Sequence, residues 1–348
     1  MERKLIYRKQ MEQLLPFRNV GASGLKMSTL GIGTWLNFSK SEDHRPIIQA
    51  AIERGLCHFD TADMYGALPG WSETLLGDTL SGISRSSYVL STKVHARVGK
   101  WPNDAGLSRK HVMESCSKSL SRLKTDYVDI YYCHRYDPDT PLEETMDALA
   151  TLKNQGKILY VGISMWPAEA IRQFARLAQE ARVQIVANQV QYNVLQRPET
   201  EVLDICRETG IGLVAYSPLA QGLLSGKYRG QAQKHSRGMI SYRNKWMKKI
   251  TDDPTKMTAL ERYFDVCDSA GLDYISVAIG WLLAQDNVAS ALCGFSSKEQ
   301  FEQTIRGIGD QLPTGLIEEV NALPDWATLN TQPDENEGKG AVYAVDSP

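Results

Sequence analysis

Eight short apolar runs, each separated from the next by segments of helical period, limit what this chain can fold into more than any other feature. They read STLGIGT (28–34), LCHFDT (56–61), SYVLSTK (87–93), DYVDIYY (126–132), ILYVGIS (158–164), QIVANQVQY (184–192), GLVAYS (212–217) and VASALCG (288–294). Strands that are apolar on both faces belong in parallel sheets covered by helices. Eight such units in one chain of 348 residues predict an α/β fold of the closed (β/α)8 TIM-barrel type rather than an open doubly wound sheet. The first run is followed by WLNFSK, without the GxGxxG spacing of a dinucleotide fingerprint, which weakens a Rossmann reading further. The expected organisation is an N-terminal extension over 1–15, a single barrel domain over 16–328 and a flexible C-terminal tail over 329–348.

Two of the intervening segments are strong helix predictions. SRKHVMESCSKSLSRL places Val112, Met113, Cys116, Leu120 and Leu123 on one stripe behind a capping Ser108. TPLEETMDALATLKNQGK opens with Thr140, Pro141 and Glu143 in a capping-box arrangement, keeps Leu142, Met146, Leu149 and Leu152 in register, and stops at Gly156. One connection, residues 227–253 after the seventh run, is long, basic and aromatic; loops of that length in a compact domain are functional or disordered.

A formal net charge of −2 and a pI near 6.3 give no basic field of the kind that nucleic acid or an anionic membrane surface would need, so neither is an expected partner. The six cysteines are scattered singly, which fits neither a disulfide framework nor a structural zinc site and points to a reducing, cytoplasmic location. The N-terminal MERKLIYRKQMEQLLP carries no apolar stretch long enough for a signal or an anchor.

In a barrel of this type, polar residues at the C-terminal ends of strands read as chemistry. Asp60 ends the second run, Tyr65 follows it in the loop FDTADMYG, Lys93 ends the third and His134 follows the fourth in YYCH. Each has a bland alternative as a cap, a surface charge or a core histidine. Four titratable groups at one rim are costly to desolvate unless they pair. Together they suit a proton donor for carbonyl reduction. A free phenol has a pKa of about 10; a neighbouring Lys93 ammonium favours the phenolate, Asp60 holds the lysine, and His134 orients the substrate oxygen. A reductant must come from a cofactor. A metal-dependent hydrolase using His58 and His134 lacks the further ligands it would need, so no metal is expected.

On these residues the chain resembles an aldo-keto reductase from about 16 to 325. FDTADMYG matches that family's Asp and Tyr segment, STK its lysine, and YYCHRYDPDTPLEET its histidine. NVGASGLKMSTLGIGTW, YSPLAQGLLSGKY and GFSSKEQFEQ extend the similarity to the branch containing the beta subunits of voltage-gated potassium channels and their bacterial reductase relatives. The resemblance implies a reductase of aldehydes or ketones, with hydride from the nicotinamide C4 of NADP(H) and Tyr65 as proton donor. Asp60, Thr34 and Trp35 would border the nicotinamide, Ser164 and Gln189 would bond its carboxamide, and Tyr216 would stack on it. Ser217, Pro218, Leu219, Gln221 and Gly222 would line the pyrophosphate. Lys227, Arg237, Gly294, Ser296 and Gln300 would hold the 2'-phosphate end, with Gln303 near the adenine.

The chain departs from the pattern at Met165, where a polar residue is usual beside Ser164, and at Gln303 and Thr304, where an acid and an amide are common. His134 is the arrangement of ordinary reductases, whereas mammalian channel beta subunits carry Asn there. The resemblance therefore implies a small carbonyl substrate and a homo-oligomer, tetramer or octamer. The alternative is a regulatory subunit that binds NADPH as a redox sensor, with an ion channel as partner. Trp35, Phe38, Trp71, Trp101 and Trp166 are expected to wall a pocket for an apolar or aromatic carbonyl compound, with the equal alternative that some of the tryptophans only cap the core.

Overall fold

The computed structural model describes residues 15–35, 43–227, 229, 250–306, 308 and 311–329. Most of the two termini, Phe38, Arg237 and most of the long basic connection lie outside the described residues. A two-stranded antiparallel hairpin, β1 (Phe17–Asn19) and β2 (Lys26–Ser28), precedes the barrel. Eight parallel strands then close on themselves: β3 (Leu30–Gly33), β4 (His58–Asp60), β5 (Val89–Val94), β6 (Val128–Cys133), β7 (Ile158–Ser164), β8 (Ile185–Gln191), β9 (Gly212–Tyr216) and β10 (Val288–Cys293). They follow chain order around the barrel, and β10 pairs with both β9 and β3. Each of the eight predicted runs overlaps one barrel strand, β5 and β6 extending one residue past theirs, to Val94 and Cys133.

Ten α-helices occur among the described residues: α1 (Arg45–Glu53), α2 (Trp71–Leu80), α3 (Arg109–Leu123), α4 (Leu142–Asn154), α5 (Ala168–Glu180), α6 (Thr200–Thr209), α7 (Pro254–Ala270), α8 (Tyr274–Leu283), α9 (Lys298–Ile305) and α10 (Thr314–Asn321). Ser108 caps α3 as the sequence predicts, its hydroxyl accepting from the His111 amide. The capping box expected at α4 does not form. Pro141 is the N-cap and has no side-chain bond, because the Thr140 hydroxyl donates instead to the Asp137 carboxylate at 2.8 Å.

Two hydrophobic clusters divide the interior. The larger holds outward strand residues such as Phe59, Leu90, Tyr131, Cys133, Val161 and Ile163, packed under the helices. The smaller contains Val89, Ile130, Tyr132, Ala187 and Val214 together with Met27 of the hairpin and Val20 just after its first strand. Side chains alternate along a strand, so this second set points into the barrel. The hairpin is tied to the barrel by Arg18, which donates to the Val288 carbonyl at 2.8 Å, where β10 begins. The inward parity has a direct consequence. Continued toward the C-terminal ends of the strands, it delivers Asp60, Lys93, His134, Ser164, Gln189 and Tyr216 to the same end of the barrel.

Two inward glycines make room for the side chains beneath that layer. A Cβ at Gly162 would lie 2.3 Å from the Tyr132 ring, and one at Gly31 would lie 2.5 Å from His58 Nδ1. Among the described residues no single helix is long and apolar enough to cross a membrane.

Candidate active site

Asp60 closes β4 and is buried, with both carboxylate oxygens occupied. Oδ2 accepts from Lys93 Nζ at 2.5 Å, while Oδ1 accepts from Ser91 Oγ at 2.6 Å and Gln189 Nε2 at 3.0 Å. Lys93, on β5, is fully buried and also donates to the Thr61 carbonyl at 2.7 Å. Its ammonium sits 4.7 Å from the centre of the Tyr65 ring. On the other side of that phenol, the Tyr65 hydroxyl is 3.4 Å from His134 Nε2, and the two rings meet edge to face. Residues 60, 65, 93 and 134, far apart in the chain, thus form one contiguous cluster.

The electrostatics follow from burial. Desolvation holds the His134 imidazole well below its ordinary range, reinforced by the Lys93, Arg135 and His95 charges, so the ring is neutral at pH 7. Desolvation also pulls the Lys93 ammonium down, and the Asp60 carboxylate opposes it. A second inward phenol, Tyr132, is fully buried and pushed well above its ordinary value, chiefly by desolvation; it is shut away from any ligand. The arrangement can therefore present a phenolic proton to an oxygen placed between Tyr65 and a neutral imidazole.

The expected cofactor residues fall in two groups. Around the cluster, Thr34 is buried and donates to Thr61 Oγ1 at 2.9 Å, with Trp35 beside it at the end of the β3 segment. Ser164 Oγ donates to the Gln189 carbonyl at 2.9 Å, so both polar residues are held in the layer with Asp60. Tyr216 donates to the Met165 sulfur at 3.4 Å, bridging β7 and β9; Met165 is 45% exposed.

After β9 the chain is strained. Ser217, Ala220 and Gln221 have φ of 54°, 47° and 58°, and Gly222 has 96°. Turns with left-handed residues can make anion-binding concavities; here the Ala220 and Gly222 amides donate to the Ser217 and Leu219 carbonyls at 3.0 and 2.8 Å. Pro218 and Leu219 lie within this turn, and Lys227 follows it. After β10 come Gly294, then Ser296, whose amide and hydroxyl both meet Gln300 Oε1 at 2.9 Å beside the N-terminus of α9. Gln303 is exposed on α9, whereas Thr304 is buried and returns its hydroxyl to the Gln300 carbonyl, facing away from that surface. β9 and β10 are neighbours, so the two turns open at the same end of the barrel.

Two findings refine the sequence expectations, the first by taking the core-capping alternative for Trp166. Trp166 is only 2% exposed and packs against Tyr136 and Phe174, so it covers the core and walls no pocket, while Trp101 is 75% exposed and Trp71 stands at the start of α2. Asp63, the second acid of FDTADMYG, is buried beside Ser115 and Glu73, and desolvation pushes its carboxyl up to about 8. Its proximity to Tyr65 in the loop was the only available signal. Among the described residues there is no group of His, Cys, Asp or Glu that could hold a metal ion.

A family model described as the aldo/keto reductase family matches residues 29–324. The chain is 34% identical to L-glyceraldehyde 3-phosphate reductase of Escherichia coli strain K12 over 307 residues, 85% of this chain and 88% of that one. It is 36% identical to a probable voltage-gated potassium channel subunit beta of Arabidopsis thaliana over 310 residues, 86% of this chain and 92% of that one. The chain belongs to the aldo/keto reductase family, whose members generally use nicotinamide cofactors.

Proposed function

We propose that this aldo/keto reductase reduces small aldehydes or ketones with NADPH, Tyr65 delivering the proton. The observation that carries the proposal is the Lys93–Tyr65–His134 arrangement: an ammonium 4.7 Å from the ring centre of a phenol whose hydroxyl lies 3.4 Å from a neutral imidazole. A bound nicotinamide supplies hydride to the carbonyl carbon. The residues present fit such a group, because the turn that is left-handed at Ser217, Ala220, Gln221 and Gly222 spends the Ala220 and Gly222 amides on its own carbonyls and leaves those of Leu219 and Gln221 for a pyrophosphate, next to the polar layer of Ser164, Gln189 and Asp60.

In this reading Tyr65 donates its proton to the oxygen that becomes the alkoxide. Lys93 stabilises the phenolate left behind, and Asp60 keeps Lys93 in place. His134, neutral, fixes the carbonyl oxygen against Tyr65. Lys227, and Arg237 outside the described residues, supply cations for the 2'-phosphate that distinguishes NADPH from NADH. Glyceraldehyde 3-phosphate is the first substrate to try, after the Escherichia coli relative. The likeness to the Arabidopsis protein favours a second reading, a channel-associated subunit that binds the same cofactor.

The test is oxidation of NADPH and of NADH over a panel of aldehydes, ketones and quinones, alongside co-purification with a potassium channel. Turnover favouring NADPH is the expected result. Channel capture by a protein that binds NADPH and turns over nothing would replace the first reading with the second.

A further inference from the structure

Met165 stands directly after β7 with φ of 56°, a left-handed conformation that is costly for any residue but glycine. Its neighbours Ser164 and Trp166 are both buried, whereas Met165 is 45% exposed. The Tyr216 hydroxyl donates to its sulfur at 3.4 Å, which fixes where both side chains end. Tyr216 closes β9, and β8 lies between β7 and β9. Thioether and phenol therefore meet across the end of β8, at the end of the barrel where Ser164 and Gln189 pair in register.

A thioether in this place is open to oxidation. Among the described methionines, Met27 and Met146 are buried and Met64, Met113 and Met257 are half-buried; Met165 alone is exposed. All six cysteines are buried free thiols. Met165 is thus the most accessible sulfur-bearing side chain among the described residues, and oxidation follows exposure. With hydrogen peroxide the step balances simply. A sulfur lone pair attacks one peroxide oxygen, the O–O bond breaks as the S–O bond forms, and the other oxygen leaves as water; the sulfur is oxidised by two electrons and the peroxide is reduced.

We propose that Met165 is a site of reversible oxidation by peroxide, and that its sulfoxide releases Tyr216 and weakens the hold on a bound dinucleotide. The inference rests on the cofactor reading above, in which Tyr216 stacks on the nicotinamide. The sulfur that now accepts from the phenol gains an oxygen, becoming polar and larger. The two side chains can no longer meet at the present separation: the phenol retreats by the added oxygen, or the sulfoxide turns out to water. In both cases the ring loses its present hold beside Ser164 and Gln189, and a ring that is no longer held must be ordered again on binding.

The experiment treats wild type and Met165→Leu with limiting hydrogen peroxide, maps the oxidised methionines by peptide mass spectrometry, and measures NADPH affinity by nicotinamide fluorescence. Met165 should gain its oxygen ahead of Met64, Met113 and Met257. The dissociation constant should then rise about two- to tenfold, what one hydrogen bond is worth, and methionine sulfoxide reductases A and B should restore it. Met165→Leu should bind more weakly than the wild type before treatment and change no further after it. Oxidation of Met165 no faster than that of the half-buried methionines, an unchanged affinity once Met165 carries the oxygen, or a Met165→Leu variant that responds as the wild type does, overturns the proposal.

If the untreated wild type binds neither NADPH nor NADH, the cofactor reading fails by itself. The modification site is then judged by oxidation rates in wild type and Tyr216→Phe. The phenol engages a sulfur lone pair that oxygen transfer needs, so its removal should speed oxidation of Met165 and leave that of Met113 as it was. Equal rates at Met165 contradict the contact on which the site rests.

Discussion

A fully buried ammonium survives in this fold because the Asp60 carboxylate meets it at 2.5 Å and the Thr61 carbonyl accepts a second hydrogen bond from it. Removing one partner of such a pair leaves an uncompensated charge, and the cost is about 3–5 kcal/mol. Lys93→Met should therefore lower stability by that amount in urea unfolding, whereas the double variant Asp60→Leu/Lys93→Met should recover much of the loss without recovering turnover. A double variant no more stable than the single one would show that the pair does not act as a unit. Asp63 behaves differently. Folded, it holds its proton up to about pH 8, against an ordinary value of 3.8. Between those values the folded state binds a proton that the unfolded chain has lost, so this group's contribution to stability is complete below 3.8 and declines as pH rises toward 8. Asp63→Asn should melt higher relative to the wild type at pH 8 than at pH 5, read by thermal scans at both values. Asp60, Tyr65, Lys93 and His134 were legible in the sequence because each falls at or just beyond the end of an apolar run. The state of Asp63 was not, since it is set by burial beneath helices α2 and α3, with the Glu73 charge raising it further and the Ser115 hydrogen bond opposing.

Strand parity explains why the polar layer is where it is, and the inward glycines test it. Gly162→Ala in β7 would drive a Cβ to 2.3 Å from the buried Tyr132 ring, beneath the Asp60 and Gln189 layer. Overpacking of this kind costs about 1–3 kcal/mol; the variant should melt lower, while Gly82→Ala, where nothing lies within 4 Å, should lose less despite its positive φ. Equal losses would mean that the crowding does not matter. The eight strands were readable from their runs, and α3 from its stripe and Ser108. The failed capping box at Thr140 was not, because the competing acceptor, Asp137, is placed by the loop that also receives the Leu107 amide. Nor were the left-handed residues Ser217, Ala220 and Gln221, whose side chains give no local sign of it; only Gly222 does. The β1–β2 hairpin was too short to register as strands.

Closure of the barrel buries several imidazoles in a low-dielectric interior, and this sets how the whole molecule responds to acid. Desolvation lowers His58 to about 4, and His134 falls well below its usual value from the same cause. An unfolded histidine titrates near 6.5, so below that value the unfolded chain binds more protons. The imidazoles' contribution to stability should be complete above about pH 6.5 and decline as pH falls toward 4, opposite in sign to that of Asp63, so it is read by urea unfolding at a series of pH values in an Asp63→Asn background; stability flat across that window in that background would contradict buried neutral imidazoles. At this scale the barrel was legible from the number and order of units. The pocket walls were not, because Trp166 turns into the core between Tyr136 and Phe174. The central claim is that one phenol, flanked by Lys93 and His134, delivers the proton. The most direct measurement is the single-turnover rate of NADPH oxidation with 4-nitrobenzaldehyde in wild type and Tyr65→Phe, at saturating cofactor with cofactor affinity measured in both. The account predicts a fall of about 10²–10⁴-fold in that rate with cofactor affinity retained; an unchanged rate would contradict it.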